Sequence, residues 1–305
     1  MSKNIPEQLL TLRDFMRWGA SRFREAGLDF GHGTASAIDE AVYLALHAVH
    51  LPPNTHASWF DTRLVQKEKR QIISLFERRI GERIPAAYIT HEAWFAGLDF
   101  YVDERVLIPR SPLAELIEQG FEPWVDATRI RRILDLGTGS GCIGIACAYA
   151  FPEASVDLAD ISPDALAVAE INLDRHKLRG RVRTIETDLF ANIEGEYDLI
   201  VSNPPYVDRE DMACLTPEFA HEPPLGLEAG EDGLDVVLPL LKGARDHLAP
   251  EGVLVVEVGN SEAALSRRLP NCPLTWIEFE HGGHGVFTLN REQLLQYECF
   301  DAVAE

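Results

Sequence analysis

Residues 130–144 read IRRILDLGTGSGCIG, and this stretch decides the fold. Its first half is a short apolar run of strand type, its second half a glycine-rich turn that opens into the small apolar residues of a helix. Glycines at such a strand-to-helix turn let the backbone pass close to a ligand, and the helix N-terminus offers unpaired N–H groups. The same texture repeats downstream. Strand-like SVDLAD, VRTIETD, YDLIVS and GVLVVEVG alternate with helix-like CIGIACAYAF, PDALAVAEINLDRH and a segment from about Leu234 to Leu248. This β-α-β-α order predicts a doubly wound α/β sheet. At the end, LTWIEFE and GVFTLN are joined only by HGGHG. Without room for a crossover helix, the last strand is expected to run antiparallel to its neighbour.

Upstream the pattern changes. Leu9, Leu12, Phe15, Met16 and Phe23 fall at helical spacing within residues 6–26. A second helix is expected from about Thr34 to His50, where Pro52-Pro53 stops it. A third is expected to begin near Asp61, bury Leu64, Ile72, Ile73, Phe76 and Ile80, and end at Gly81. Its basic residues Lys67, Lys69, Arg70, Arg78 and Arg79 read as a solvated face. Between the helices and the α/β part, AYITHEAWFAGLDFYVDERVLIPR reads as a β-hairpin or short strands bridging two domains. The expected division is therefore a helical domain over 1–85, a hairpin linker over 86–112 and an α/β domain over 113–305.

The 305 residues suffice for two domains, and 46% hydrophobic with 25% charged residues is a globular balance. No stretch approaches the length of a membrane span, and the first fifteen residues hold no apolar run of signal-peptide length. The five cysteines (Cys142, Cys147, Cys214, Cys272 and Cys299) are scattered and never spaced C-x-x-C. A disulfide framework and a zinc site are not expected, and the cytoplasm is the expected compartment. His47/His50 and His281/His284 lack a carboxylate or cysteine at ligand spacing, so no metal is expected. The net charge is −21, distributed unevenly: residues 1–90 carry 12 basic and 10 acidic side chains, residues 91–305 carry 16 and 39. A field of that sign repels phosphate backbones and attracts basic partners.

Taken literally, Gly139-x-Gly141-x-x-Gly144 also matches a dinucleotide fingerprint, which leaves a nicotinamide enzyme open. The acids around the loop point elsewhere. Asp135 lies inside it, Asp160 closes the second strand, where a carboxylate takes ribose hydroxyls, and Asp188 closes the third, where it could hold an adenine amine. An acid beside the loop suits a sulfonium with an amino-acid tail, S-adenosylmethionine, better than a pyrophosphate. After the fourth strand comes Asn203-Pro204-Pro205-Tyr206. Two prolines stiffen this turn and remove two donors. The Asn203 side-chain oxygen and the Pro204 carbonyl can then both accept from one planar NH2 group, with Tyr206 stacking on the π-system that bears it.

DLGTGSG with a strand-end NPPY resembles the class I S-adenosylmethionine-dependent methyltransferases that act on planar NH2 nitrogens, in adenine or in glutamine. The helical N-terminal part, the bridging hairpin and HEPPLGLEAGEDGLD after NPPY are similar to the HemK/PrmC-type glutamine methyltransferases over nearly the whole chain. The resemblance implies a Rossmann-like, seven-stranded, mostly parallel sheet with one antiparallel strand. It implies cofactor binding by Asp135, Gly137, Thr138, Gly139, Ser140, Gly141, Asp160, Asp188 and Leu189, and catalysis by Asn203, Pro204, Pro205 and Tyr206. Release-factor methyltransferases of this family read I-P-R-P-[DE]-T-E after the hairpin. This chain reads Ile108-Pro109-Arg110-Ser111-Pro112-Leu113-Ala114-Glu115. That form is similar to the PrmB branch, whose substrate is a glutamine of ribosomal protein L-three, a basic protein. Release factors and adenine in DNA or RNA are the alternative substrates. Glu222-Pro223-Pro224 is expected either to close over the substrate or simply to turn the chain.

Overall fold

The structure is a computed structural model and describes residues 8–297; Cys299 lies outside them. The chain forms two compact units. One runs to Glu92 and includes Thr216–His221; the other comprises Ala93–Leu215 and the chain from Glu222 onward.

In the helical unit, α1 (Leu12–Glu25) starts at a capping box, with the Thr11 side chain and the Asp14 carboxylate each taking a backbone N–H of the other. Ser36 caps α2 (Ala37–Ala48). The third helix, α3 (Gln66–Gly81), begins later than the expected Asp61, because Ala57–Asp61 winds a separate 3-10 turn. Helices α1 and α3 approach closely at Gly19, where a Cβ would sit 2.3 Å from the Phe76 ring. Phe15, Phe23, Leu44, Ile72 and Phe76 fill the space between. The reading of the α3 basic residues as a solvated face fails at two of them: Lys69 is 6% exposed and Arg79 0%. Arg79 donates to Glu40 (2.6 Å), Glu218 (3.0 Å) and the Asp29 carbonyl (2.6 Å). The short helix α4 (Ala86–Thr90) belongs to this unit, which differs from its expected place in the linker.

The second unit opens with the hairpin of β1 (Ala93–Phe95) and β2 (Leu98–Phe100). Ala96 and Gly97 both take positive φ, the two-residue turn that matches strand twist. After α5 (Leu113–Glu118) come β3 (Arg132–Leu136), α6 (Cys142–Ala150), β4 (Ser155–Asp160), α7 (Pro163–His176), β5 (Val182–Glu186) and β6 (Tyr197–Ser202). The chain continues with α8 (Arg209–Cys214), α9 (Val237–His247), β7 (Leu248–Glu257), α10 (Glu262–Arg268), β8 (Thr275–Trp276), β9 (Val286–Asn290) and α11 (Arg291–Gln296). The seven-stranded sheet has the order β5-β4-β3-β6-β7-β9-β8. It is parallel except for β9, which is antiparallel to both neighbours, as the short final connection predicts. Strand β8 keeps only two residues of the expected LTWIEFE.

Strand residues alternate between two apolar layers. Ile133, Leu199, Val201 and Val255 face the layer containing Ile145 and Leu173. Leu134, Ile200, Leu254 and Val256 face the layer of Leu240, Leu241 and Leu265. Burial on both faces is what a parallel sheet requires. The strand order turns at β3 and β6, and a sheet of this kind opens its ligand crevice at the C-terminal ends of the strands flanking such a switch. Among the described residues no helix is long and apolar enough to cross a membrane.

Candidate active site

The glycine loop between β3 and α6 is pinned from behind. Gly137 and Thr138 both donate to the Ala159 carbonyl (2.8 and 3.0 Å), and Gly139 donates to Asp160 Oδ2 at 2.8 Å. Gly137, Gly139 and Gly141 take φ of 73°, 54° and 82°, a conformation a Cβ would strain. Gly144 is needed for proximity: a Cβ there would lie 2.2 Å from Leu158 Cδ2 and 2.9 Å from Asp135 Cβ, so its absence lets α6 settle on the sheet.

A cavity of ≈ 470 Å³ lies at this switch point. Gly137, Thr138, Gly139, Ser140, Asp160, Asp188, Leu189, Asn203, Pro204 and Pro205 all line it. Ten of the thirteen expected site residues are thus brought together. Asp160 accepts from Gly139 and Ser162, and burial pushes its carboxyl above the ordinary range. Asp188 lies two residues beyond the end of β5, and Leu189 is in the left-handed region. Asn203 follows directly on β6, and among the described residues no hydrogen bond occupies its side chain.

Asp135, Gly141 and Tyr206 do not line the cavity. Asp135 is wholly buried behind the loop; its Oδ2 accepts from Thr138 Oγ1 (2.5 Å) and Gly144 N (2.8 Å). Burial pushes its carboxyl up to about 7, Thr138 and Gly144 only partly offsetting that. Asp135 Oδ2 therefore braces the loop from behind the cavity lining, while its buried Oδ1 has no hydrogen-bond partner among the described residues. Tyr206 also departs from expectation. Its ring packs on Gly259, where a Cβ would come within 2.5 Å, its hydroxyl donates to Glu257 (3.2 Å), and the residue is outside the cavity lining.

Residues outside the expected set complete the walls. Arg110 lines the cavity and grips Glu222 through two short contacts, 2.5 and 2.6 Å, while the Ile108 N–H donates to the same carboxylate at 3.0 Å. Glu222 is 2% exposed. The chain beyond it returns beside NPPY: Val207 N–H donates to the Leu227 carbonyl and Ala229 N–H to the Val207 carbonyl. Pro223, Leu225 and Gly226 join the lining, so Glu222-Pro223-Pro224 does more than turn the chain. An arginine in IPRS and a glutamate 112 residues later carry no spacing signal that would pair them.

Residues 121–222 match the family described as "Methyltransferase small domain". The ribosomal protein uL3 glutamine methyltransferase of Neisseria gonorrhoeae is 48% identical over 299 residues, covering 98% of this chain and 100% of that protein. The protein of the same name from Neisseria meningitidis serogroup B is 49% identical over 299 residues, covering 98% and 99%. With likeness at that level running from the helical unit through the last strands, the chain belongs to the family of uL3 glutamine methyltransferases.

Proposed function

We infer that the chain transfers a methyl group from S-adenosylmethionine to the side-chain amide nitrogen of a glutamine in ribosomal protein uL3. The observation that carries this reading is the placement of Asn203 and Pro204, two acceptors on a donor-poor turn, in the same cavity as Asp160 and the glycine loop. The cavity fits the cofactor. Its ≈ 470 Å³ lies within the range of about 300–1,000 Å³ that small-molecule sites occupy. The Asp160 carboxylate keeps acceptor capacity beyond its two backbone contacts, and Leu189 and the half-exposed Ile161 offer apolar surface for a base.

Asp160 would hold the ribose hydroxyls, the Gly137–Ser140 backbone the amino-acid end, and Asp188 with Leu189 the adenine. When bound, S-adenosylmethionine supplies an electrophilic methyl group on a positively charged sulfur. The protein's task is orientation. One amide hydrogen goes to Asn203 Oδ1 and the other to the Pro204 carbonyl, which fixes the NH2 plane and leaves the nitrogen facing the methyl donor. Amide nitrogen is a poor nucleophile because its lone pair is delocalised into the carbonyl, so these residues would contribute orientation. As the new C–N bond replaces the C–S bond, S-adenosylhomocysteine would leave and one N–H proton would pass by way of the Asn203 or Pro204 oxygen to solvent.

The substrate's basic character suits the 39 acidic against 16 basic side chains of residues 91–305. The helical unit is the proposed grip on the protein substrate, and the cytoplasm, where ribosomal proteins are made, is the proposed compartment. The test offers the full chain three substrates side by side: uL3, a release factor, and adenine-containing DNA or RNA. Methyl transfer to uL3 is expected, weakening as salt screens the charges over about 8–10 Å. Transfer to the release factor alone, or to nucleic acid alone, overturns the substrate reading. Asn203→Ala should slow transfer by about 10²-fold or more while leaving cofactor affinity nearly unchanged.

A further inference from the structure

Behind the NPPY turn lies a buried carboxylate that the mechanism above does not use. Strands β6 and β7 are parallel neighbours with Ser202 opposite Val256, so Glu257 leaves the sheet at the same level as Asn203. Glu257 is 3% exposed, and its two oxygens serve different partners. Oε2 accepts from Ser111 Oγ at 2.5 Å, and Oε1 accepts from the Tyr206 hydroxyl at 3.2 Å. Ser111 is itself fixed: its oxygen accepts the Leu113 N–H at 3.1 Å, which leaves the hydroxyl hydrogen for Glu257. Tyr206 is held at two further points, by its ring against Gly259 and by its carbonyl, which accepts from Ser261 Oγ at 2.8 Å.

We propose that Glu257, oriented by Ser111, is a positioning residue that anchors Tyr206 and thereby holds the Asn203–Pro204 acceptor pair at the cavity wall. Pro204 and Pro205 are the only residues between the anchored tyrosine and Asn203. Their rings fix φ, so a shift at Tyr206 passes to Asn203 with little slack. Burial pushes the Glu257 carboxyl up to about 7 and raises the Tyr206 phenol well above its ordinary range, as expected where a low-dielectric pocket surrounds one shared contact. Glu257 and Tyr206 lie outside the cavity lining, whereas Ser111 is part of it; in this scheme Ser111 contacts no reacting atom, and it acts with Glu257 through Tyr206. The inference rests on Asn203 and Pro204 being the amide's acceptors.

The experiment compares Ser111→Ala, Ser111→Thr, Tyr206→Phe, the Ser111→Ala/Tyr206→Phe double variant and Asn203→Ala in the full chain. The rate of methyl transfer to uL3 is measured well below each variant's melting temperature, with cofactor affinity read by calorimetry. Ser111→Ala and Tyr206→Phe should each lower kcat by about tenfold or more while KM for uL3 and cofactor Kd stay within about twofold. The double variant should be scarcely slower than the worse single, because both cut one chain of contacts. Ser111→Thr, which keeps the hydroxyl, should recover most of the rate. Parental kcat in Ser111→Ala and Tyr206→Phe beside a slow Asn203→Ala would refute the anchor and leave the amide reading intact. Multiplying effects in the double variant, or no recovery in Ser111→Thr, would refute it as well. A parental rate in Asn203→Ala would take down the amide reading, and the anchor with it.

Discussion

Replacing Arg79 by methionine should unfold the helical unit well below the parental melting temperature. Arg79 is 0% exposed, and its guanidinium serves Glu40, Glu218 and the Asp29 carbonyl at 2.6, 3.0 and 2.6 Å. Methionine fills much of the volume but donates nothing. Glu40, 1% exposed, would keep only the Thr34 hydroxyl, at 2.9 Å. Burial already pushes Glu40 above its ordinary range against the pull of Arg79, so without Arg79 its charge becomes untenable. Glu218 fares better, since the Asp29 N–H and Arg83 Nη1 remain at 3.2 Å each. Breaking a buried pair from one side costs about 3–5 kcal/mol, and the partners left to Glu218 argue for about 3. For a unit of this size, about 4–8 °C is lost per kcal/mol, so the fall should be about 12–24 °C. Scanning calorimetry of the full chain measures it. Adding Glu40→Met to Arg79→Met should return part of the loss by removing the stranded carboxylate. A single variant melting within about 3 °C of the parent would refute the reasoning, because the carboxylates would then have no need of Arg79.

Asp160→Ala should weaken S-adenosylhomocysteine binding by about 1–3 kcal/mol in calorimetry, since it removes a charged acceptor for two hydroxyls; unchanged affinity would move the ribose elsewhere. The Asp135 carboxyl, raised from 3.8 to about 7 by burial, makes a stability contribution that is full below about pH 4 and lost as pH rises through 7, up to about 4 kcal/mol. Urea melts at pH 5 and pH 8 should therefore differ more for the parent than for Asp135→Asn, and equal differences would show that Asp135 does not titrate there. Gly144→Ala drives a methyl group against Leu158 and Asp135, which should cost about 1–3 kcal/mol in the same melts; a silent substitution would mean that α6 can lift off the sheet freely.

What can be read from the sequence is local in the chain. The glycine turn, the strand–helix alternation and the stiff Asn-Pro-Pro turn each sit within a few residues, and ten of the thirteen expected site residues line one cavity. Two departures from expectation carry their own signal in the sequence. In β3 the pleat puts Asp135 on the face of Ile133, toward α6, and away from the face of Leu134 and Leu136. In α3, Lys69, Ile72, Phe76 and Arg79 fall three, four and three residues apart, one helical stripe, so both cations share the buried face of Ile72 and Phe76. Periodicity outweighs charge content there. The rest is not local at all. Ser111 meets Glu257 across 146 positions and Arg79 meets Glu218 across 139, and no pattern in one chain marks such pairs before it folds.

The six residues Thr216–His221 give the helical unit an unusual dependence on synthesis order. An N-terminal domain ordinarily completes itself while the rest of its chain is still being made. This one cannot: Glu218 emerges 139 positions after Arg79, when most of the sheet strands have already left the ribosome. Until then Arg79 and Glu40 have each other but lack their third member. A chain cut after Glu92 would lack Glu218 altogether and leave Arg79 with Glu40 and the Asp29 carbonyl. A graft of the helices would keep the Arg79 cluster only where the receiving chain supplies a carboxylate in the place of Glu218.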